Sequence, residues 1–275
     1  MIFLELSCAL IVASYLVVRV AYETDRWRLF RRLGLVLVAS WAAENSVIHA
    51  YGFYQYSPRW TLFIDHVPLM IIIIWPIVIT SAWDLMNALG GRRGGGKVLV
   101  AAAAMVFIDA YVIEPIAVQS GLWSWNEPGL FKVPPIGVVG WSYFAVACLA
   151  IYDWVDRHRR SPWLELGVLV VPIAFTHAAL VATWWGALRW INHPINPWIA
   201  VALAWTLHTG LALLAARHPA AHRPHRRDLM LRVPAAGFFF VLLGMDARDN
   251  LPLILYGFAL APPYLVLTWR ARGTA

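Results

Sequence analysis

Glu44, Glu114 and Asp109 are carboxylates set inside long apolar runs. Inserting a charged group at the centre of a membrane helix costs about 2.5–3.5 kcal/mol, so each is a candidate for chemistry. The two glutamates open matching strings, "ENSVIHAYGFYQYSPRWTLFIDHVPLMIIIIW" (44–75) and "EPIAVQSGLWSWNEPGLFKVPPIGVVGW" (114–141). Gly52, Tyr54, Tyr56, Val67, Pro68 and Trp75 of the first correspond in order to Gly121, Trp123, Trp125, Val133, Pro134 and Trp141 of the second. In an extended segment, x-aromatic-x-aromatic puts both rings on one side, and each aromatic face stabilises a cation by roughly 0.5–2 kcal/mol when desolvated. An acid beside such a wall suits protonation of an apolar alkene and shelter of the resulting carbocation. The competing reading is structural: each acid is bonded to a neighbouring Trp N–H, Tyr or His.

The elements that must carry these residues are membrane helices. The chain is 61% apolar and 13% charged, against about 45–50% and about 25% in soluble domains. Nine apolar runs fall at about 2–20, 33–50, 64–86, 97–118, 136–154, 163–187, 197–216, 229–244 and 251–269, the eighth being the shortest. This predicts an all-α polytopic bundle of about nine transmembrane helices, with eight as the alternative, forming a single membrane domain over 1–275. The first run has no basic leader or small-residue cleavage pattern, so it is expected to be a retained span. Alternate loops carry 18 and four basic residues. That asymmetry predicts an N-terminus outside, a C-terminus in the cytoplasm and residence in the cytoplasmic membrane. It also explains the net charge of +7 by contact with membrane lipids, without nucleic acid. Cys8 and Cys148 read as small core residues.

Because the two strings begin on helices two and four, they form a parallel repeat of helix pairs two-three and four-five. At 1.5 Å per residue, Glu44 lies about 9 Å and Glu114 about 6 Å below the outer helix ends, with Asp109 at about 14 Å. Both glutamates can face one cavity, where desolvation favours a protonated, acid-competent carboxyl. Asp65 and His66 precede Val67-Pro68, so Asp65 is either a helix cap or a further catalytic acid. His49 and His66 join Tyr54, Tyr56, Trp75, Trp123, Trp125 and Trp141 as candidate substrate contacts. Asp153 and Asp156 form a DxxD that is more simply a charged helix end than a Mg²⁺ site. The histidines of the basic loop "RHPAAHRPHRRD" (217–228) have no metal-ligand spacing. Dinucleotide, P-loop, zincin and nucleophile-elbow motifs are absent from the sequence, so neither metal nor redox cofactor is expected.

"FIDAYVIEPIAVQSGLWSWNEPGLFKVPPIGVVGW" (107–141), with Glu44 and "YGFYQYSP" as the first copy, resembles the integral-membrane carotenoid biosynthesis proteins of the CruF type. Those proteins hydrate the acyclic ends of carotenoids. The resemblance covers about 40–145. It departs where the family has Asn-Phe ahead of Gly-Trp and this chain has Val138-Val139, and where Gly and Pro-Phe are missing between Glu44 and Gly52. The landmark order is also similar to the small-subunit lycopene cyclases. Those place paired acids directly after the Pro, where this chain has Leu69-Met70 and Pro135-Ile136. The resemblance therefore implies a cofactor-independent hydratase, with Glu44, Glu114, Asp109 and Asp65 sharing acid and base roles. Its partners would be an apolar carotenoid or isoprenoid in the bilayer and other carotenoid enzymes. A carotenoid cyclase is the alternative, and a non-enzymatic carotenoid or lipid transporter or scaffold a second one.

Overall fold

In the computed structural model, residues 1–90, 95–158, 160–217, 224, 226–229 and 232–271 are described. Most of the histidine-containing basic loop, and with it Arg92, Arg93, Arg159, Arg223 and Arg272 of the charge count, lies outside the described residues. The chain runs through α1 (Ile2–Tyr22), α2 (Arg26–Tyr51), α3 (Leu69–Leu89), α4 (Gly96–Gln119) and α5 (Pro135–Arg157). A 3-10 segment (Pro162–Leu169) leads into α6 (Val171–Thr183), which passes through a π turn (Trp184–Leu188) into α7 (Arg189–Ile191). Then come α8 (Pro197–Arg217), α9 (Arg226–Leu229), α10 (Arg232–Asp246), α11 (Leu251–Phe258) and α12 (Ala261–Arg270). Among the described residues, eight helical stretches are long and apolar enough to cross a membrane. Their outward faces carry exposed side chains such as Phe3, Leu10, Trp27, Leu203 and Trp269, a surface suited to lipid rather than water. This is an all-α polytopic membrane bundle.

The eighth run, the shortest, contains α10, whose 15 described residues span about 22 Å; the two residues before it lie outside the described ones. Its first described residue, Arg232, is buried and paired with Asp109. Asp109 sits ten residues before the end of α4, about 15 Å along it, so Arg232 lies at that depth. The loop-charge pattern counts Arg232 among the cytoplasmic residues, but it is an intramembrane one.

The glycines of the repeat explain how each copy turns. Gly52 ends α2 in the left-handed region (φ 59°), its N–H donating to the Ile48 carbonyl at 2.9 Å. Gly121 (φ 66°) does the same after α4, with the Leu122 N–H closing on the Ala117 carbonyl at 3.0 Å. Only glycine adopts this conformation without steric penalty. The chain then extends as two three-residue strands, Tyr54–Tyr56 and Trp123–Trp125. They pair antiparallel as Tyr54 with Trp125, Gln55 with Ser124 and Tyr56 with Trp123. Antiparallel pairing about one centre is what a pseudo-twofold between the two copies requires.

Prolines inside α3 and α4 free carbonyls. Pro115 cannot bond the Tyr111 carbonyl, which instead accepts from the Tyr256 hydroxyl of α11 at 2.7 Å. Pro76 leaves the Ile72 carbonyl free, 3.5 Å from Ser40 Oγ of α2, whose proton goes to the nearer Leu37 carbonyl at 2.9 Å. At the opposite end of the bundle, Arg32 joins Asp156 and Glu165, each at 2.6 Å, and Asp153 pairs with Arg157. The DxxD is therefore occupied by arginines, as a charged helix end. Cys8 and Cys148 are buried and free.

Candidate active site

The repeat brings its two acids to one cavity, partly open to the surroundings, with both glutamates in its lining. Glu44 projects from α2, where the strand after Gly52 folds back over it. Its Oε2 accepts from the hydroxyls of Tyr54 and Tyr56, the latter at 3.0 Å, and its Oε1 from Trp75 Nε1 at 2.8 Å. Glu114 repeats the pattern with three indoles: Trp123 and Trp125 donate to Oε2 at 2.7 and 3.0 Å, and Trp141 to Oε1 at 2.8 Å. The rings interleave across the pseudo-twofold, Tyr54 against Trp125 at 4.7 Å between centroids and Trp75 against Trp141 at 4.8 Å.

The alternating aromatics do point to one side, but what they aim at the acids is their polar edges. The spacing of the rings is visible in the sequence pattern; the direction of each ring edge is not. The two glutamates are not equivalent. Glu114 is 2% exposed and is held by donors that cannot accept. Glu44 is only partly buried and faces two hydroxyls that can both donate and accept. Both line the cavity, but Glu44 can exchange a proton with its partners, whereas Glu114 is fixed as an acceptor.

Gly137 of α5 sets the position of Trp125. A Cβ built there would meet the Trp125 ring at 2.5 Å, so Gly137→Ala is expected to push Trp125 off Glu114. Overpacking of this kind costs about 1–3 kcal/mol. Turnover should fall more than melting temperature, and an unchanged near-ultraviolet tryptophan dichroism in the variant would contradict this packing.

Asp109 and Asp65 are not brought to this cavity. Asp109 is bonded to Arg232, whose other nitrogens donate to Ser81 Oγ and Tyr264 Oη, both at 2.9 Å. The four groups satisfy one another at the floor of a second cavity, apolar elsewhere. Asp65 is exposed and takes a left-handed backbone (φ 55°). It does not cap α3, which begins after Pro68 with no side-chain cap. Its carboxylate instead accepts from His49 Nε2 at 2.8 Å and Asn45 Nδ2 at 2.9 Å, which hold it below the usual carboxylate range. His66 packs edge-on against His49 at 4.5 Å. His49 and His66 therefore stand with Asp65 at the outer rim rather than on the glutamates. The ligand atoms of these three lie within 4.8 Å of one another, so metal-ligand spacing among the described residues occurs here and not at the glutamate pair.

The family model for carotenoid biosynthesis proteins matches residues 3–211, which include both acid-and-aromatic copies and the helices that carry them. The chain belongs to the carotenoid biosynthesis protein family. No curated protein and no solved structure matches it. This carotenoid biosynthesis protein is thus a multi-pass membrane protein whose apolar cavities are consistent with a lipid-soluble isoprenoid substrate. The matched stretch ends before α10, so Arg232 and Tyr264 at the floor of the second cavity lie beyond it.

Proposed function

We propose that this protein is a cofactor-independent hydratase that adds water to a terminal carbon–carbon double bond of an acyclic carotenoid. The observation that carries the reading is the pair of glutamates with unequal donors in one apolar cavity. Glu44, bonded by hydroxyls that can return a proton, is the general acid. It protonates the less substituted carbon of the alkene, breaking the π bond and leaving a tertiary cation. Glu114, fixed as an acceptor by three indoles, is the anion that stabilises this cation, with the aromatic rings excluding bulk water. Water forms the new C–O bond, and its surplus proton returns to Glu44, so the acid is restored and the sum is alkene plus water to tertiary alcohol.

The second cavity supports an elongated substrate. It shares Ile71, Ile74, Val78, Trp123 and Trp141 with the first, so isoprene units next to the reacting end can continue along a common apolar wall. Asp109 has a positioning role in this reading, through the floor of that cavity, and Asp65 none in the proton transfer. The proposed orientation, with the N-terminus outside the cytoplasmic membrane, sets both glutamates in the outer half of the bilayer.

Expression in cells that accumulate an acyclic carotenoid, followed by pigment extraction and mass measurement, tests the proposal. A product heavier by one or two waters is expected. An isomer of unchanged mass would establish the cyclase instead, and unaltered pigment would favour a carrier or scaffold.

A further inference from the structure

The cavity around Glu44 and Glu114 is lined by several polar side chains, and nearly all of them are committed. Tyr54, Tyr56 and Trp75 bond Glu44, the other three tryptophans bond Glu114, and Ser40 donates to the Leu37 carbonyl at 2.9 Å. The exception is Thr176 of α6. It is 4% exposed, lines the cavity, and its Oγ1 has no hydrogen-bond partner among the described residues. A hydroxyl buried in apolar surroundings without a partner is costly, and a helical threonine has an easy remedy in the carbonyl one turn back. Other threonines of this chain take it: Thr80 bonds the Pro76 carbonyl at 2.7 Å, Thr183 that of Ala179 at 2.7 Å, and Thr206 that of Ala202 at 2.8 Å. Thr176 leaves the equivalent bond to Pro172 unmade.

A hydrocarbon chain offers this hydroxyl no donor or acceptor, so the polar species that completes it must be small and separate from the substrate. We infer that Thr176 Oγ1 is a water site, and that the water held there is the nucleophile that adds to the tertiary cation. The inference rests on the hydratase reading and deepens it by naming a positioning residue on α6, outside the repeated helices. In the balanced step, the water oxygen forms the C–O bond to the cation while Thr176 keeps its hydrogen bond to that oxygen. The proton lost from the added water goes to the Glu44 carboxylate. Without the held water, the cation has another exit: it gives a proton back to Glu44 and re-forms an alkene.

That competition gives a readout a merely structural threonine would not move. Turnover of an acyclic carotenoid is followed in deuterated water with the full-length protein in membranes, measuring both tertiary alcohol and deuterium gained by recovered alkene. Thr176→Val keeps the shape and removes the hydroxyl. It should lower alcohol formation by at least about tenfold, the scale of one lost hydrogen bond, while deuterium uptake persists. Thr176→Ser should restore alcohol formation, and Thr176→Ala, which leaves room rather than a methyl, should reproduce the valine partition. Parental alcohol formation in the valine and alanine variants would overturn the assignment, as would loss of deuterium uptake together with alcohol. Absence of alcohol from the parent protein would instead sink the hydratase reading on which the assignment rests.

Discussion

Glu44→Gln is expected to abolish detectable hydration while the bundle still assembles. The carboxamide can accept from Trp75 through its oxygen, and its NH₂ can donate to the Tyr54 or Tyr56 hydroxyl, because a phenol accepts as well as donates. The surroundings of residue 44 are thereby preserved, and what is lost is the transferable proton. A positioned general acid contributes about 10²–10⁴-fold, so the turnover of membranes containing the variant should fall by at least that factor at unchanged protein yield. Glu114→Gln makes an informative contrast. All three of its partners are indole N–H groups, which cannot accept, so the amide nitrogen must face a donor. Each buried group left unpaired costs about 1–3 kcal/mol, and the Glu114→Gln variant should therefore lose stability as well as activity. Equal melting temperatures for the two variants would contradict the asymmetry drawn between the sites.

Arg232→Met is expected to be the most destabilising single change outside the acid pair. Arg232 neutralises Asp109, which is 6% exposed, and removing one member of a buried pair costs about 3–5 kcal/mol because the other is left uncompensated. Thermal unfolding in detergent should show a large fall for Arg232→Met, and a partial recovery when Asp109→Leu is added, since an apolar replacement of both partners is often neutral. Turnover per folded molecule should fall far less than in Glu44→Gln, because the pair lines the second cavity and does not touch either glutamate. No change in unfolding for Arg232→Met would contradict a buried ion pair at this depth.

Much of the site was legible because the repeat wrote it twice. Glu44 and Glu114 share a landmark and a depth, and the Gly-x-aromatic-x-aromatic spacing encodes a left-handed helix stop followed by an extended strand. The parts that were not legible depend on contacts distant in sequence. Arg232 lies 123 positions from Asp109, so positive charge near a loop read as a cytoplasmic marker and Asp109 as a candidate catalytic acid. The direction of the indole and phenol edges follows from the pairing of the Tyr54–Tyr56 and Trp123–Trp125 strands, which periodicity does not report. Asp65 looked like a cap because it precedes a helix, yet His49 and Asn45 of α2 draw its carboxylate away. Thr176 carries no motif; only the bonds of its neighbours single it out.

In the proposed reaction, water from solvent ends up on a carotenoid carbon through the Glu44–Glu114 cavity. The most direct measurement is turnover of an acyclic carotenoid in water enriched in heavy oxygen, comparing membranes carrying the parent protein with those carrying Glu44→Gln. A tertiary alcohol bearing one heavy oxygen per hydrated end, formed by the parent and not by the variant, is the predicted result. A product of the parent without heavy oxygen, or the same labelled product from the variant, would contradict the account.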